Sequence, residues 1–189
     1  MVKNMINITK EKLSNYQLHE LEQASKNLPE KIIIRCQDAG IDSSNFDLMN
    51  TFFFPHDLEN GFFSKERYIL NNSRITNWGD CEYRNRFDKK ETYLINFSRI
   101  PDNYKMIDIY HFNVIQDNSV DFFVAKRDND DIRVLFGYSS NPLNESLYNN
   151  IFVGSFAKTD SGFWKFYPKM QYTKLSKEEI YYKYTGEQI

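Results

Sequence analysis

Short apolar stretches separated by turn residues run along the chain from Lys31 onward. Ile32-Ile33-Ile34 is a β-branched run of the length typical of a buried strand. Apolar and polar positions alternate over Glu91 to Phe97, as in a strand with one buried face. Further strands are predicted over Phe46 to Phe54, Arg67 to Leu70, Met106 to Ile115, Val120 to Lys126, Ile132 to Tyr138, Asn149 to Ala157 and Phe163 to Tyr172. Strands at this spacing predict a mainly β, two-sheet β-sandwich.

Turn residues divide these strands. Asn60-Gly61, Asp128-Asn129-Asp130-Asp131 and Asp160-Ser161-Gly162 are typical of hairpin connections. Pro55 is predicted to end the second strand, which would leave His56 solvated in a turn. The stretch from Asn71 to Asp88 is polar and is predicted to be irregular.

Helical spacing occurs at both ends of the chain. The apolar residues between Leu13 and Leu28 suit a short amphipathic helix that Pro29 closes. Leu175 to Tyr184 could form a last helix packed on the outside of the sandwich. We therefore expect an N-terminal extension over 1–30 that packs on the domain, a sandwich over 31–173, and a tail over 174–189.

Composition fits one packed domain. Sixteen Phe and thirteen Tyr among 189 residues are enough for a packed interior. The formal net charge of −2 disfavours nucleic-acid binding held by charge alone. The sequence has no apolar run of the length that exports a protein or spans a bilayer. We expect a cytoplasmic protein without membrane insertion.

Catalytic signatures are missing from the sequence. The two cysteines and three histidines lack zinc or redox spacing, and no phosphate-binding glycine loop or nucleophile elbow is present. A pairing of Cys36 with His111 has nothing that raises it above chance. We therefore expect a protein that is not an enzyme.

A colinear series of segments from about Lys31 to about Tyr172 resembles the TerD family of tellurium-resistance and stress-response proteins. Each segment is similar to a family pattern: Phe46-Asp47-Leu48 to "DFDLDAS", Tyr68-Ile69-Leu70-Asn71-Asn72 to "FIFYNN", Trp78-Gly79-Asp80 to "SGDN", Ser98-Arg99-Ile100-Pro101 to "LSKIP", Met106 to Val114 to "IVFVVTI", and Gly162-Phe163-Trp164-Lys165-Phe166 to "GEWKF". The resemblance implies a β-sandwich that binds Ca²⁺ through acidic loops.

Carried onto this sequence, the resemblance implies a set of calcium ligands. Ca²⁺ takes six to eight oxygen ligands, from carboxylates and from neutral carbonyls. The matching positions are Asp47, Asp80, Asp88, Glu91, Asn45 and Asn71. The same residues could merely cap turns and strand ends, as Asp and Asn commonly do.

This pattern is eroded at two places. Met49 replaces an acid of "DFDLD", and a thioether does not bind a hard cation. The family's "GDDE" becomes Lys89-Lys90-Glu91, and Arg84 and Arg86 join the same stretch. These four cations oppose Ca²⁺ by repulsion and form a weak candidate anion site, or a solvated loop balanced by its own acids.

Three functions remain open from the sequence. The first is a TerD-like stress-response protein that acts as a non-catalytic Ca²⁺-binding or scaffold module, with other stress-response proteins as partners. The second is a metal-free protein–protein interaction module. The third is a small-molecule or anion binder that uses the 71–91 loop.

Overall fold

The computed structural model describes residues 27–38, 50–56, 69–71, 75–85, 90–112, 120–128, 131–139 and 150–186. Within these ranges lie nine strands and one α-helix. They are β1 Lys31–Asp38, β2 Asn50–His56, β3 Gly79–Asn85, β4 Lys90–Asn96, β5 Met106–Phe112, β6 Val120–Asp128, β7 Asp131–Ser139, β8 Asn150–Lys158, β9 Trp164–Thr173 and α1 Lys177–Thr185. The predicted Asn60-Gly61 hairpin and all but the end of the predicted N-terminal helix lie outside the described residues.

The strands form two antiparallel sheets. The five-stranded sheet has the order β3-β4-β1-β6-β7, and the four-stranded sheet has the order β2-β5-β8-β9. β6 pairs with β7 and β8 with β9, as the turn residues predicted. The two-sheet β-sandwich is therefore confirmed.

The main core fills the space between the sheets. Strand alternation turns Ile32, Ile34 and Cys36 of β1 into this space, where they meet the inner residues of the other sheet. A group of aromatic rings occupies its centre, since Phe122, Phe136 and Phe156 all pack within 5.6 Å of the Phe166 ring, centroid to centroid. Six of the sixteen Phe residues in the sequence are among the described residues of this core.

A second core lies on the outer face of the four-stranded sheet, beneath α1. Its sheet side is formed by Phe52, Phe54, Ile69, Tyr110 and Phe112, and its helix side by Ile180, Tyr181 and Tyr184. The helix begins at a capping box between Ser176 and Glu179 and ends at Gly186, which has a φ of 70°. The predicted C-terminal helix is thus present and packs outside the sandwich.

Two local predictions were wrong. β2 continues through Pro55 to His56. Pro55 is tolerated there because β2 is an edge strand of the four-stranded sheet. β3 lies inside the stretch predicted to be irregular. Its sequence is polar because β3 is an edge strand. Cys81 of β3 is partly buried and packs against the main core. No helix in the described ranges is long and apolar enough to cross a membrane.

Candidate functional site

Glu91 is a buried carboxylate between the two sheets. The alternation of β4 turns Glu91, Tyr93 and Ile95 inward, and Glu91 is 6% exposed. Its Oε2 accepts hydrogen bonds from the Thr51 backbone N–H at 3.0 Å, the Thr51 hydroxyl at 2.7 Å and the Tyr93 hydroxyl at 3.1 Å. Thr51 belongs to β2, so this carboxylate joins the five-stranded sheet to the four-stranded sheet.

His111 of β5 extends this network. Its Nδ1 lies 2.7 Å from the Thr51 Oγ1. Because that hydroxyl already donates to Glu91, it accepts from His111, which therefore carries a proton on Nδ1. The chain of contacts runs from one sheet to the other through Thr51.

Two further groups around Glu91 are held in their neutral forms. Cys36 lies opposite Glu91 in the β1–β4 register, and burial raises the pKa of its thiol, with a smaller contribution from the Glu91 charge. Burial and then the Glu91 charge likewise raise the pKa of Tyr93. A protonated thiol is a poor nucleophile. This cluster is therefore arranged to hold a carboxylate and offers no activated cysteine.

A second buried carboxylate, Asp108, lies under α1 on the outer face of the four-stranded sheet. Its Oδ1 accepts from the Ser155 hydroxyl at 2.5 Å, and its Oδ2 accepts from the Tyr184 hydroxyl. The Nε2 of His56 lies 3.3 Å from Oδ2. Burial would raise the pKa of Asp108, but the hydrogen bonds from His56, Ser155 and Tyr184 outweigh it and lower the pKa.

The Asp108 cluster overturns the prediction that His56 is solvated. His56 is 1% exposed, because β2 runs on past Pro55 and carries the ring beneath the helix. The cluster contains Ser, His and Asp, but the serine donates to the aspartate and Tyr184 covers that aspartate. This geometry anchors a helix and presents no serine to a substrate.

Asp108 is the single carboxylate in the otherwise apolar strand β5, whose sequence is MIDIYHF. A charged residue in such a strand needs partners. Those partners come from β2, β8 and α1, and no local pattern links the three elements to β5.

The Glu91 end of the sandwich is also where several connections begin and finish. β1 ends at Asp38, β2 starts at Asn50 and β4 starts at Lys90, next to Glu91. The segments that carry Asn45, Asp47 and Asp88 join these strand ends. The three residues themselves lie outside the described ranges.

Asp80, another predicted ligand in the described part, lies apart from Glu91. Asp80 pairs with Leu94, whereas Tyr93 and Ile95 turn into the core, so Asp80 and Glu91 are on opposite faces of the five-stranded sheet. Asn71 is buried and follows Leu70, which pairs with Phe53 of β2.

Comparisons with known proteins bear on the fold. No protein-family model and no curated protein matches this sequence. Among solved structures, a homologue of the telluride resistance protein TerD, SCO6318 from Streptomyces coelicolor A3(2), matches with a TM-score of 0.57 over 82% of this chain and 95% of that one. This chain has a TerD-like fold.

A second solved structure agrees with that result. A protein of unknown function, SAV2460, matches with a TM-score of 0.56 over 84% of this chain and 98% of its own. Both neighbours are 10% identical in sequence to this chain. At that identity the two matches establish the TerD-like fold alone.

The described residues do not fit a calcium site by themselves. Among them, no three His, Cys, Asp or Glu side chains come together in a way that could hold a metal ion. Donors from Thr51 and Tyr93 already occupy Oε2 of Glu91. The predicted set of Asp47, Asp80, Asp88, Glu91, Asn45 and Asn71 stays a prediction.

The predicted anion site is divided between strands and undescribed residues. Arg84 pairs with Glu91 and Lys90 pairs with Asn85 across β3 and β4, so both belong to strands where a loop was expected. Arg86 and Lys89 lie outside the described ranges. This anion site also stays a prediction.

A groove of about 370 Å³ opens at the other end of β3 in this TerD-like sandwich. Lys31 and Arg99 supply positive charge to it, and Asp80 supplies a carboxylate. Trp78 also lines the groove, and its buried Nε1 has no hydrogen-bond partner in the described part of the chain. The lining of this groove therefore includes two cations and one carboxylate.

Proposed function

We propose that this chain is a non-catalytic TerD-like module that acts in the cytosol as a scaffold for other stress-response proteins. The observation that carries the proposal is the position of Glu91. Glu91 lies in the core, where one of its oxygens accepts three hydrogen bonds. The resemblance to the family would instead make this residue a metal ligand. In this position the carboxylate contributes to the stability of the sandwich.

The charges near Glu91 favour a scaffold role over a Ca²⁺-binding role. Lys89 and Lys90 stand where the family pattern has two aspartates. Both lysines directly precede Glu91 in the sequence, and positive charge near a bound Ca²⁺ opposes binding. Asp80 lies on the other sheet face and adds no ligand at this end.

A calcium titration separates the two branches. EDTA-treated protein is titrated with CaCl₂ in a calorimeter, and its Tm is followed up to millimolar Ca²⁺. We expect no heat and no change in Tm, because a ligand that binds the folded state would raise Tm. A rise in Tm for the natural sequence would instead support a retained calcium site.

The matched variant restores the acids of the family pattern. Lys89→Asp with Lys90→Asp recreates the sequence Asp-Asp-Glu around Glu91, and we expect it to gain a Ca²⁺-dependent rise in Tm. If neither protein responds, the connections at this end of the sandwich do not form a metal site even with the charges reversed.

The scaffold itself is tested in EDTA. The tagged full chain is co-expressed with the products of neighbouring genes and analysed by size-exclusion chromatography with EDTA present. We expect a stable complex with at least one of these proteins. A chain that always elutes as a free monomer would contradict the scaffold proposal.

The groove favours a second candidate function, which is binding of a small anion. Lys31 and Arg99 line this groove together with Trp78, whose buried indole N–H has no hydrogen-bond partner in the described part of the chain. Inorganic phosphate and citrate serve as probes in an NMR titration of the Trp78 indole resonance. We expect shifts that Arg99→Ala abolishes and that Arg35→Ala, an exposed arginine outside the groove, leaves intact. An indole resonance that does not move in millimolar phosphate or citrate would reject this candidate.

A further inference from the structure

The groove that Lys31, Asp80 and Arg99 line crosses the outer face of β4. Leu94 and Asn96, which alternate with the core residues of β4, form its floor. Asp80 of β3 pairs with Leu94 on one side of β4, and Lys31 of β1 pairs with Asn96 on the other side. The groove therefore separates a carboxylate on β3 from an ammonium group on β1.

The charges of this groove lie at two separate places. The strands β3 and β1 are two strand spacings apart, so the backbones that carry Asp80 and Lys31 are about 10 Å from each other. Arg99 belongs to the 3₁₀ turn that begins directly after Asn96, so the second cation is at the end of the groove where Lys31 pairs. None of the three charged side chains forms an ion pair with another described residue. All three charges are therefore available to a ligand.

Hydrogen bonds fix the wall of the groove beside β3. The Thr76 hydroxyl oxygen accepts from the backbone N–H groups of Trp78 at 3.3 Å and of Gly79 at 2.9 Å. The Thr76 backbone N–H donates to the Gly79 carbonyl at 2.9 Å, and the Asn96 backbone N–H donates to the Trp78 carbonyl at 2.8 Å. These bonds close the turn before β3 and attach it to β4. A wall fixed in this way loses little conformational entropy when a ligand binds.

We propose that this groove binds a free zwitterion, a small molecule with an anionic group at one end and an ammonium group at the other. The anionic group lies at Lys31 and Arg99, the ammonium group lies beside Asp80, and the carbon atoms between them cross Leu94. A simple anion meets the two cations but is repelled by the carboxylate, whereas a zwitterion complements all three charges. This inference rests on the anion-binding candidate above and names the class of ligand for that site.

Two matched probes test this class of ligand on the natural sequence. 2-Aminoethyl phosphate and ethyl phosphate differ by one ammonium group, and NMR titrations that follow the Trp78 indole and the Thr76 and Asn96 amides give their dissociation constants. We expect 2-aminoethyl phosphate to bind about fivefold more tightly, as for one partly exposed charge pair. Equal affinities, or tighter binding of ethyl phosphate, would overturn the proposal and leave the anion-binding candidate in place. If neither probe moves these resonances, both are rejected.

Asp80→Asn removes the charge that selects the ammonium group. We expect this variant to bind 2-aminoethyl phosphate more weakly and ethyl phosphate more tightly, so that the two dissociation constants become nearly equal. Asp160→Asn, at an exposed carboxylate in the turn between β8 and β9, is the matched control and should keep the fivefold preference. Amide spectra away from the groove check that both variants are folded. A preference that survives in Asp80→Asn would contradict the proposed position of the ammonium group and overturn the proposal.

The same zwitterionic group occurs in a lipid headgroup, so the source of the ligand is tested separately. The full chain is mixed with vesicles of phosphatidylethanolamine and phosphatidylcholine and centrifuged through a density gradient. We expect the protein to stay in solution, because the proposed ligand is a free molecule. Flotation of the protein with these vesicles would assign the zwitterion to a membrane surface and would overturn the proposal of a free ligand.

Discussion

Glu91 and Asp108 are both buried carboxylates, but they join different parts of the molecule. Glu91 lies inside the sandwich, and its contacts with Thr51 connect the two sheets. Asp108 lies outside the sandwich, and its contact with Tyr184 connects a helix to one sheet. The same chemical group therefore holds the two sheets together at one position and attaches a single helix at the other.

The largest effect is expected from Glu91→Ala. Removing the carboxylate leaves buried donors from Thr51 and Tyr93 unpaired and opens a void between the sheets. We expect a loss of about 3–5 kcal/mol in the free energy of unfolding, measured in urea. Glu91→Gln retains an acceptor oxygen and should lower the free energy of unfolding by clearly less than Glu91→Ala does. Equal losses in the two variants would mean that the hydrogen bonds to Oε2 do not carry the effect.

Asp108→Ala is expected to lower the free energy of unfolding by about 2–4 kcal/mol. Most of this loss should affect only the attachment of α1 to the sheet. The amides of α1 should exchange with solvent faster, while those of β1 in the five-stranded sheet keep their protection. Asp102→Ala is the matched control, since its carboxylate is 95% exposed and pairs with Lys158 at the surface. Faster exchange in β1 as well would remove the distinction between the two carboxylates.

Acid should weaken the attachment of α1 to the four-stranded sheet. The pKa of Asp108 is lower in the folded chain than its ordinary value of 3.8. Its contribution to stability is therefore present above pH 3.8 and is lost as the pH falls through the lowered value. Hydrogen exchange in α1 measured at decreasing pH should show this loss, and Asp108→Asn should remove the pH dependence. The same acid profile in both proteins would contradict the assignment.

The smallest effect is a difference in reactivity between the two thiols. It can be measured on the natural protein, without a mutation that changes its stability. Cys36 lies beside Glu91 and burial raises its pKa, whereas Cys81 is only partly buried. We expect a thiol reagent at neutral pH to label Cys81 in the folded protein and Cys36 only after unfolding. Mass spectrometry of the labelled peptides identifies the site. Prompt labelling of Cys36 would mean that the Glu91 cluster opens readily.

Much of the sandwich could be predicted because its signals are local. The β-branched run at Ile32 and the Asp160-Ser161-Gly162 turn each specify an element within a few residues. The tail helix was likewise predicted from Leu175 to Tyr184. β3 was not predicted, because an edge strand with a polar sequence has no alternating apolar pattern to detect.

The two carboxylate clusters depend on distant contacts. Glu91 was singled out as a metal ligand through a family pattern, but Thr51, its hydrogen-bond donor, lies 40 residues away. Tyr184 lies 76 residues from Asp108. Spacing along a sequence does not show which of two sheets, or which face of a sheet, a carboxylate will meet. The hydrogen-bond partners of both groups became visible only with the fold.

Pro55 has a consequence for how this protein behaves in a crowded cell. It sits in β2, the first strand of the four-stranded sheet, and has no N–H to offer to an incoming strand. On the same strand, Phe53 already exchanges backbone hydrogen bonds with Leu70. Both features hinder the addition of a foreign strand at this margin, so β2 is protected against the edge-to-edge aggregation to which aromatic-rich sheets are prone.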